Sequence, residues 1–260
     1  MELADRHVVV TGAGSGIGRA LARRFAAEGA RGVVVADLDE AAAGAVAAEI
    51  EGLAVGTDVS SEDSIKELVA RAVEAFGPID VFCSNAGVPG PGGGPEASNE
   101  EWQRTWEINT MAHIWAARAV LPGMLARGEG YLVSTASAAG LLTQVGAMAY
   151  SVTKHAAVAV AEWIAINYAD AGVKVSCVCP LGVRTPMLET ALEHSPGAIA
   201  LLQDELLEPA DVAEAVVGGI REERFLILPH EVVAKYIALK GARHDRWLEG
   251  MRGLARKASA

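Results

Sequence analysis

Cysteine is scarce in this chain: Cys83, Cys177 and Cys179 are the only three in 260 residues. An odd number set in strand-like runs argues against a disulfide framework, and a reducing cytoplasm is the expected setting. Positive charge is also short. The 22 Lys and Arg face 33 Asp and Glu, a net charge of -11 that repels phosphate backbones and anionic lipid. Neither a nucleic-acid partner nor a membrane surface is therefore expected. No apolar run reaches the roughly 20 residues of a membrane span. The charged amino terminus, Met1 to His7, carries no signal or transit pattern. There is no linker-like stretch and no internal repeat, so one domain over residues 1–260 is the expectation.

What the chain does have is a regular alternation of β-branched runs with helical patterns. His7 to Thr11 reads as a strand, followed by the glycine cluster Gly12-Ala13-Gly14-Ser15-Gly16-Ile17-Gly18 and a helix carrying Leu21 and Phe25. Further strands are expected at 32–37, 53–59, 79–84, 131–135, 173–179 and 225–228. Helices are expected at 41–50, 61–76 with Ser61 as N-cap, 100–127, 150–170 and 210–220. Strands separated by helices imply right-handed crossovers, a parallel sheet, and ligands at its carboxyl end.

Some segments depart from the rhythm. Val88 to Ala97, rich in Gly and Pro, reads as a mobile loop at the ligand end. Leu181 to Gln203 is an apolar-rich insert and a candidate lid, spanning about 181–205. Lys235 to Lys257 is locally basic and reads as a solvated helix face and tail. In Cys177-Val178-Cys179 alternation points both thiols to one face with no His or Cys nearby, so core packing is expected and no metal.

The glycine cluster does not satisfy Gly-x-Gly-x-x-Gly; it satisfies Thr11-Gly12-x-x-x-Gly16-x-Gly18. Residues without Cβ make a tight turn, admit a pyrophosphate to the backbone and expose N–H groups at a helix start. A glycine-rich turn with no ligand is the alternative. Asp37, at the end of the second strand, can accept hydrogen bonds from ribose hydroxyls and repels a 2′-phosphate. Leu38 follows it and Ser15 adds no charge, which favours NAD over NADP. A turn or N-cap aspartate would look the same. Tyr150 and Lys154 share one helix face at i, i+4. A neighbouring ammonium and an oxidised nicotinamide both favour the phenolate, so the pair can exchange a proton with an alcohol. Read in isolation, such a pair also occurs on ordinary helix surfaces.

Taken together, these residues resemble the short-chain dehydrogenase/reductase family, from about His7 to about Pro229. Five motifs occur in the family's order: the glycine cluster, Asp58-Val59, Asn85-Ala86-Gly87, Ser137 with Tyr150 and Lys154, and Pro180 through Thr185. Asn109 falls where the family places an asparagine in its long fourth helix. The resemblance implies an α/β Rossmann-like, doubly wound sheet of seven parallel strands in the order 3-2-1-4-5-6-7. It implies hydride transfer between NAD and a secondary alcohol or ketone. Asn109, Ser137, Tyr150 and Lys154 would be the catalytic set, with Asn109 fixing a water that links Lys154 to solvent. Gly12, Ser15, Gly16, Ile17, Gly18, Asp37, Asp58, Val59, Asn85, Ala86, Gly87, Tyr150, Lys154, Pro180, Val183 and Thr185 would hold the cofactor.

Leu181 stands where the family usually has the glycine of Pro-Gly. Ser137, Leu141, Gln144, Tyr150, Leu181 and Met187 are the expected substrate pocket, suited to a largely apolar alcohol. Val152 and Thr153, larger than usual between tyrosine and lysine, are expected to be a mild change on other helix faces. A homotetramer, or a homodimer, is implied by the resemblance; Trp102, Trp106, Trp115 and Trp163 lie in its two long contact helices. Two alternatives stand beside this expectation: an NADPH-dependent ketone reductase, which Asp37 disfavours, and a dinucleotide-binding sensor without turnover, which has no use for all four catalytic residues.

Overall fold

Strands buried on both faces need apolar side chains at every position, and the valine runs of this chain supply them. In the computed structural model, which describes residues 1–194 and 206–258, those runs form β1 (His7–Thr11), β2 (Gly32–Asp37), β3 (Leu53–Gly56), β4 (Val81–Ser84), β5 (Gly130–Thr135), β6 (Val173–Val178) and β7 (Leu226–Ile227). All pairings are parallel, and the sheet order is β3-β2-β1-β4-β5-β6-β7. The expected order is the observed one. Expected and observed strand ends differ most in β3, because Thr57 to Ser60 leave the sheet in a turn built on the Asp58 carboxylate.

One face carries Val8, Val10, Val33, Val35, Tyr131 and Val133 against helices α1 (Gly16–Ala27), α2 (Glu40–Glu49) and α9 (Pro209–Arg221). The other carries Val9, Val34, Phe82, Leu132, Cys177 and Cys179 against α3 (Glu62–Phe76), α5 (Ala112–Arg127) and α7 (Met148–Tyr168). Cys177 and Cys179 are buried on one face, as alternation predicts, with their sulfurs 3.8 Å apart. Ser61 caps α3, its side chain accepting from Ser64 N–H at 3.3 Å.

The expected helix over 100–127 is not uniform. It begins as α4 (Asn99–Trp106), started by a Ser98–Glu101 capping box, passes through a π turn at Glu107–Met111, and continues as α5. A π turn holds one residue more than an α turn and is frequent at functional sites. Asn109 sits in it. Two short helices, α6 (Ala139–Leu142) and α8 (Pro186–His194), flank the carboxyl end of the sheet. Residues 195–205 of the expected lid lie outside the described residues.

The basic C-terminal stretch forms α10 (Val232–Ala242) and α11 (His244–Ala258). These are more than a solvated tail. Val233 is fully buried and Trp247 is buried, and both close a third apolar cluster with Ala138, Leu142 and Leu181. Among the described residues no helix is long and apolar enough to cross a membrane.

Candidate active site

At the end of β1 the chain must turn sharply into α1, and two glycines make that possible. Gly12 has φ +63°, and a Cβ there would stand 2.8 Å from Ala86 Cα; a Cβ on Gly18 would stand 2.1 Å from the Gly12 carbonyl oxygen. The turn is tied down from β4. Thr11 Oγ1 accepts from Asn85 N–H (3.0 Å) and Ala86 N–H (3.2 Å), and Asn85 Nδ2 donates to Thr11 O at 3.0 Å. Asn85 thus shapes the trough, with its amide donor spent on the turn.

The amino end of α1 is the chemically distinctive part of this turn. Asp39, Ser61 and Ser98 cap their helices with side-chain hydrogen bonds, whereas Ser15 makes none and no acidic residue sits in the first turn of α1. Ser15, Gly16 and Ile17 line a cavity there. An uncapped helix start facing a cavity leaves N–H donors and the positive end of the helix dipole for an anion such as a pyrophosphate. Asp37 reaches the same region: its Oδ2 accepts from Gly14 N–H at 2.8 Å and its Oδ1 from Asp39 N–H at 3.0 Å. It is a turn aspartate and a cavity residue at once, since each carboxylate oxygen keeps a second lone pair for a ribose hydroxyl. These residues fit an adenine dinucleotide.

The cavity, of about 470 Å³, runs from Asp37, Asp58 and Val59 past Asn85, Ala86 and Gly87 to Ser137, Gln144, Tyr150, Lys154, Pro180, Leu181, Val183, Thr185 and Met187. Its size is that of a ligand pocket. Every expected cofactor residue lines it. Of the expected substrate pocket, Leu141 does not: it packs against the sheet-side core and the C-terminal helices, because α6 turns it away from the cavity. Sequence reasoning had no signal for so short a helix. The Gly90–Gly92 part of the loop after β4 lines the cavity as expected for a ligand-end loop.

Around Lys154 the packing is close. Its Nζ donates to the Thr135 carbonyl at 3.0 Å and lies 5.8 Å from the centre of the Tyr150 ring. Burial lowers its pKa to about 8. Burial raises the Tyr150 phenol above its ordinary value, and the hydrogen bond with Ser137 acts in the opposite direction. Burial of the ring thus favours the neutral phenol, while the phenolate was expected from the lysine and an oxidised nicotinamide acting together.

Asn109 is fully buried and does not line the cavity. Its Oδ1 accepts from Val88 N–H (2.9 Å), and its Nδ2 donates to Val88 O (2.9 Å) and Thr153 Oγ1 (3.3 Å). Its side chain is thus engaged by the loop after β4 and by α7. Thr110 Oγ1 donates to Thr153 O at 3.1 Å, a second tie between the π turn and α7. Thr153 is fully buried in this joint, so more rests on it than the mild change expected from the sequence. The joint sets the catalytic spacing: a Cβ on Gly87 would stand 3.2 Å from Asn109 Oδ1 and 3.3 Å from Lys154 Nζ.

A sequence model of the short chain dehydrogenase family matches residues 6–196. A 1-deoxy-11-beta-hydroxypentalenate dehydrogenase of Streptomyces exfoliatus is 39% identical over 257 residues, covering 95% of this chain and 90% of that protein. A 2,5-dichloro-2,5-cyclohexadiene-1,4-diol dehydrogenase of Sphingobium indicum is 35% identical, over 83% of this chain and 88% of its own. A short chain dehydrogenase/reductase of Burkholderia phymatum, solved in complex with NAD, superposes with a TM-score of 0.86 at 31% identity, covering 94% of this chain and 96% of that one. With its glycine turn, its sheet order and its Ser137-Tyr150-Lys154 grouping in place, the chain belongs to the short-chain dehydrogenase family.

Proposed function

We propose that this oxidoreductase moves a hydride between NAD and a secondary alcohol or its ketone, with a largely apolar ring alcohol as substrate. One observation carries the reading: a single cavity joins the uncapped start of α1 and Asp37 to Ser137, Tyr150 and Lys154. The bound cofactor supplies the hydride acceptor. The chain's own residues do the rest. Ser137 and Tyr150, which both line the cavity, present hydroxyls to the alcohol oxygen, where Ser137 orients it and Tyr150 takes or returns its proton. Lys154, held by Thr135, keeps a cation beside the ring and stabilises negative charge on the phenol oxygen as the proton leaves. Asn109 and Thr153 hold α7 and the loop after β4 in register for this transfer.

Asp37 supports NAD over NADP, because a second negative group beside it would be repelled. Leu181, Met187 and the aliphatic faces of Val183 and Leu188 support an apolar substrate. One relative is a dehydrogenase of a hydroxypentalenate and the other of a cyclohexadiene diol, which supports a hydroxyl-bearing substrate and, from the second, a ring alcohol. Three buried free cysteines suit a reducing cytoplasm. In this reading the chain acts as one domain and assembles as a homotetramer or homodimer. Trp163 and Ile166, 57% and 81% exposed on α7, offer apolar surface for it. Light scattering giving a monomeric mass contradicts the assembly. NADH formation from a panel of cyclic secondary alcohols tests the activity, and no formation from any of them contradicts it.

A further inference from the structure

Beyond β7 the chain returns to the loop after Pro180 and to α6. His230 is buried, and its ring bonds two consecutive residues of the loop after Pro180. Leu181 N–H donates to Nδ1 at 3.1 Å, and Nε2–H donates to the Gly182 carbonyl at 3.1 Å. Only the neutral imidazole protonated on Nε2 makes both bonds. Lys240, near the end of α10, donates from Nζ to the Leu141 carbonyl at 2.6 Å. That carbonyl belongs to the last turn of α6, where a cation satisfies an otherwise orphaned acceptor. Between the two clamps Val233 and Trp247 pack against Ala138, Leu142 and Leu181. Leu181, and Ser137 and Gln144 flanking α6, all line the cavity.

We propose that two residues of segment 230–258 set the width of the alcohol site. His230 and Lys240 are its positioning residues, fixing the separation between Leu181 and the Ser137–Gln144 turn and so the width of alcohol admitted. The inference rests on the reading of this cavity as an alcohol site. It joins two features the catalytic chemistry does not use: a branched side chain at 181 and a basic C-terminal stretch. A wall tied at two points by hydrogen bonds and backed by a buried tryptophan cannot yield to a wider ring without breaking contacts. Discrimination by width follows.

The test compares wild type with His230→Leu, His230→Gln and Lys240→Met. Amide hydrogen exchange is read at Leu181 and across 139–143, NAD affinity by titration, and kcat/KM for cyclohexanol and for the fused-ring alcohol 2-decalol. The expected result is at least tenfold faster exchange at Leu181 in His230→Leu and across 139–143 in Lys240→Met. NAD affinity stays within twofold. The ratio of kcat/KM between the two alcohols shifts at least fivefold in both variants, mainly through KM. His230→Gln, whose amide can accept from Leu181 and donate to Gly182, restores the wild-type ratio. If His230→Leu does not fold, Lys240→Met, a change at a half-buried position, carries the test. Unchanged exchange and an unchanged ratio overturn the proposal. Absence of NADH from either alcohol with wild type strikes at the alcohol reading itself, and the exchange arm then decides the clamps separately.

Discussion

The Lys154 ammonium lies 3.0 Å from the carbonyl oxygen of Thr135, in a setting buried enough to lower its pKa from 10.5 to about 8. The lysine is anchored by a neutral acceptor, and among the described residues no carboxylate forms an ion pair with it. A buried cation so weakly compensated costs the folded state stability, and its retention marks a functional demand.

Lys154→Met is therefore expected to abolish turnover while raising stability. The shift of the lysine corresponds to about 3 kcal/mol of burial penalty, from which loss of the Thr135 bond takes back about 1. The unfolded chain binds the extra proton between about pH 8 and 10.5, so wild-type stability rises with pH across that window and the penalty is complete below it. Urea midpoints at pH 7.5, 9 and 10.5 check this. The advantage of Lys154→Met shrinks towards alkaline pH, and a pH-independent difference contradicts the burial argument.

Asn109→Ala removes the partner of both main-chain groups of Val88 and of Thr153. Water reaches the half-buried loop, which limits the expected loss of stability to about 2 kcal/mol. Turnover falls further than stability, because the joint spacing the loop from Lys154 is lost. Equal folding midpoints for variant and wild type would sink the structural part of this account.

Asp37→Ser combined with Leu38→Arg replaces a repelling carboxylate by a cation at the adenosine end of the cavity. Wild type is expected to bind NADH at least about tenfold more tightly than NADPH, and the double variant to reverse that order. Fluorescence titration of both cofactors measures it. Tighter NADPH binding by wild type would overturn the role given to Asp37.

Much of this structure is legible in the chain because parallel strands buried on both faces write themselves as continuous runs, Val8 to Val10 and Val33 to Val35 among them. The glycine turn is legible for a similar reason, since Gly12 and Gly18 meet backbone where a Cβ would stand. The π turn around Asn109 is not, because one inserted residue leaves composition and charge unchanged. Leu141 was misplaced because whether a leucine faces cavity or core depends on a helix of four residues. The docking of the C-terminal helices was hidden by their basic residues. A signal was there, in Trp247, Met251 and Leu254 at i, i+4 and i+7 on α11, but the positive charge between them reads as a solvated face. His230 carries no pattern at all; its clamp exists only once β7 brings it beside Leu181.

Tyr150→Phe tests the central claim most directly, since it removes one oxygen from the cavity and keeps the ring. NADH formation from a cyclic secondary alcohol and NAD affinity are measured side by side on wild type and variant. The account predicts a fall in kcat of about 10²–10⁴-fold with NAD affinity within threefold. Equal turnover by both proteins would contradict it.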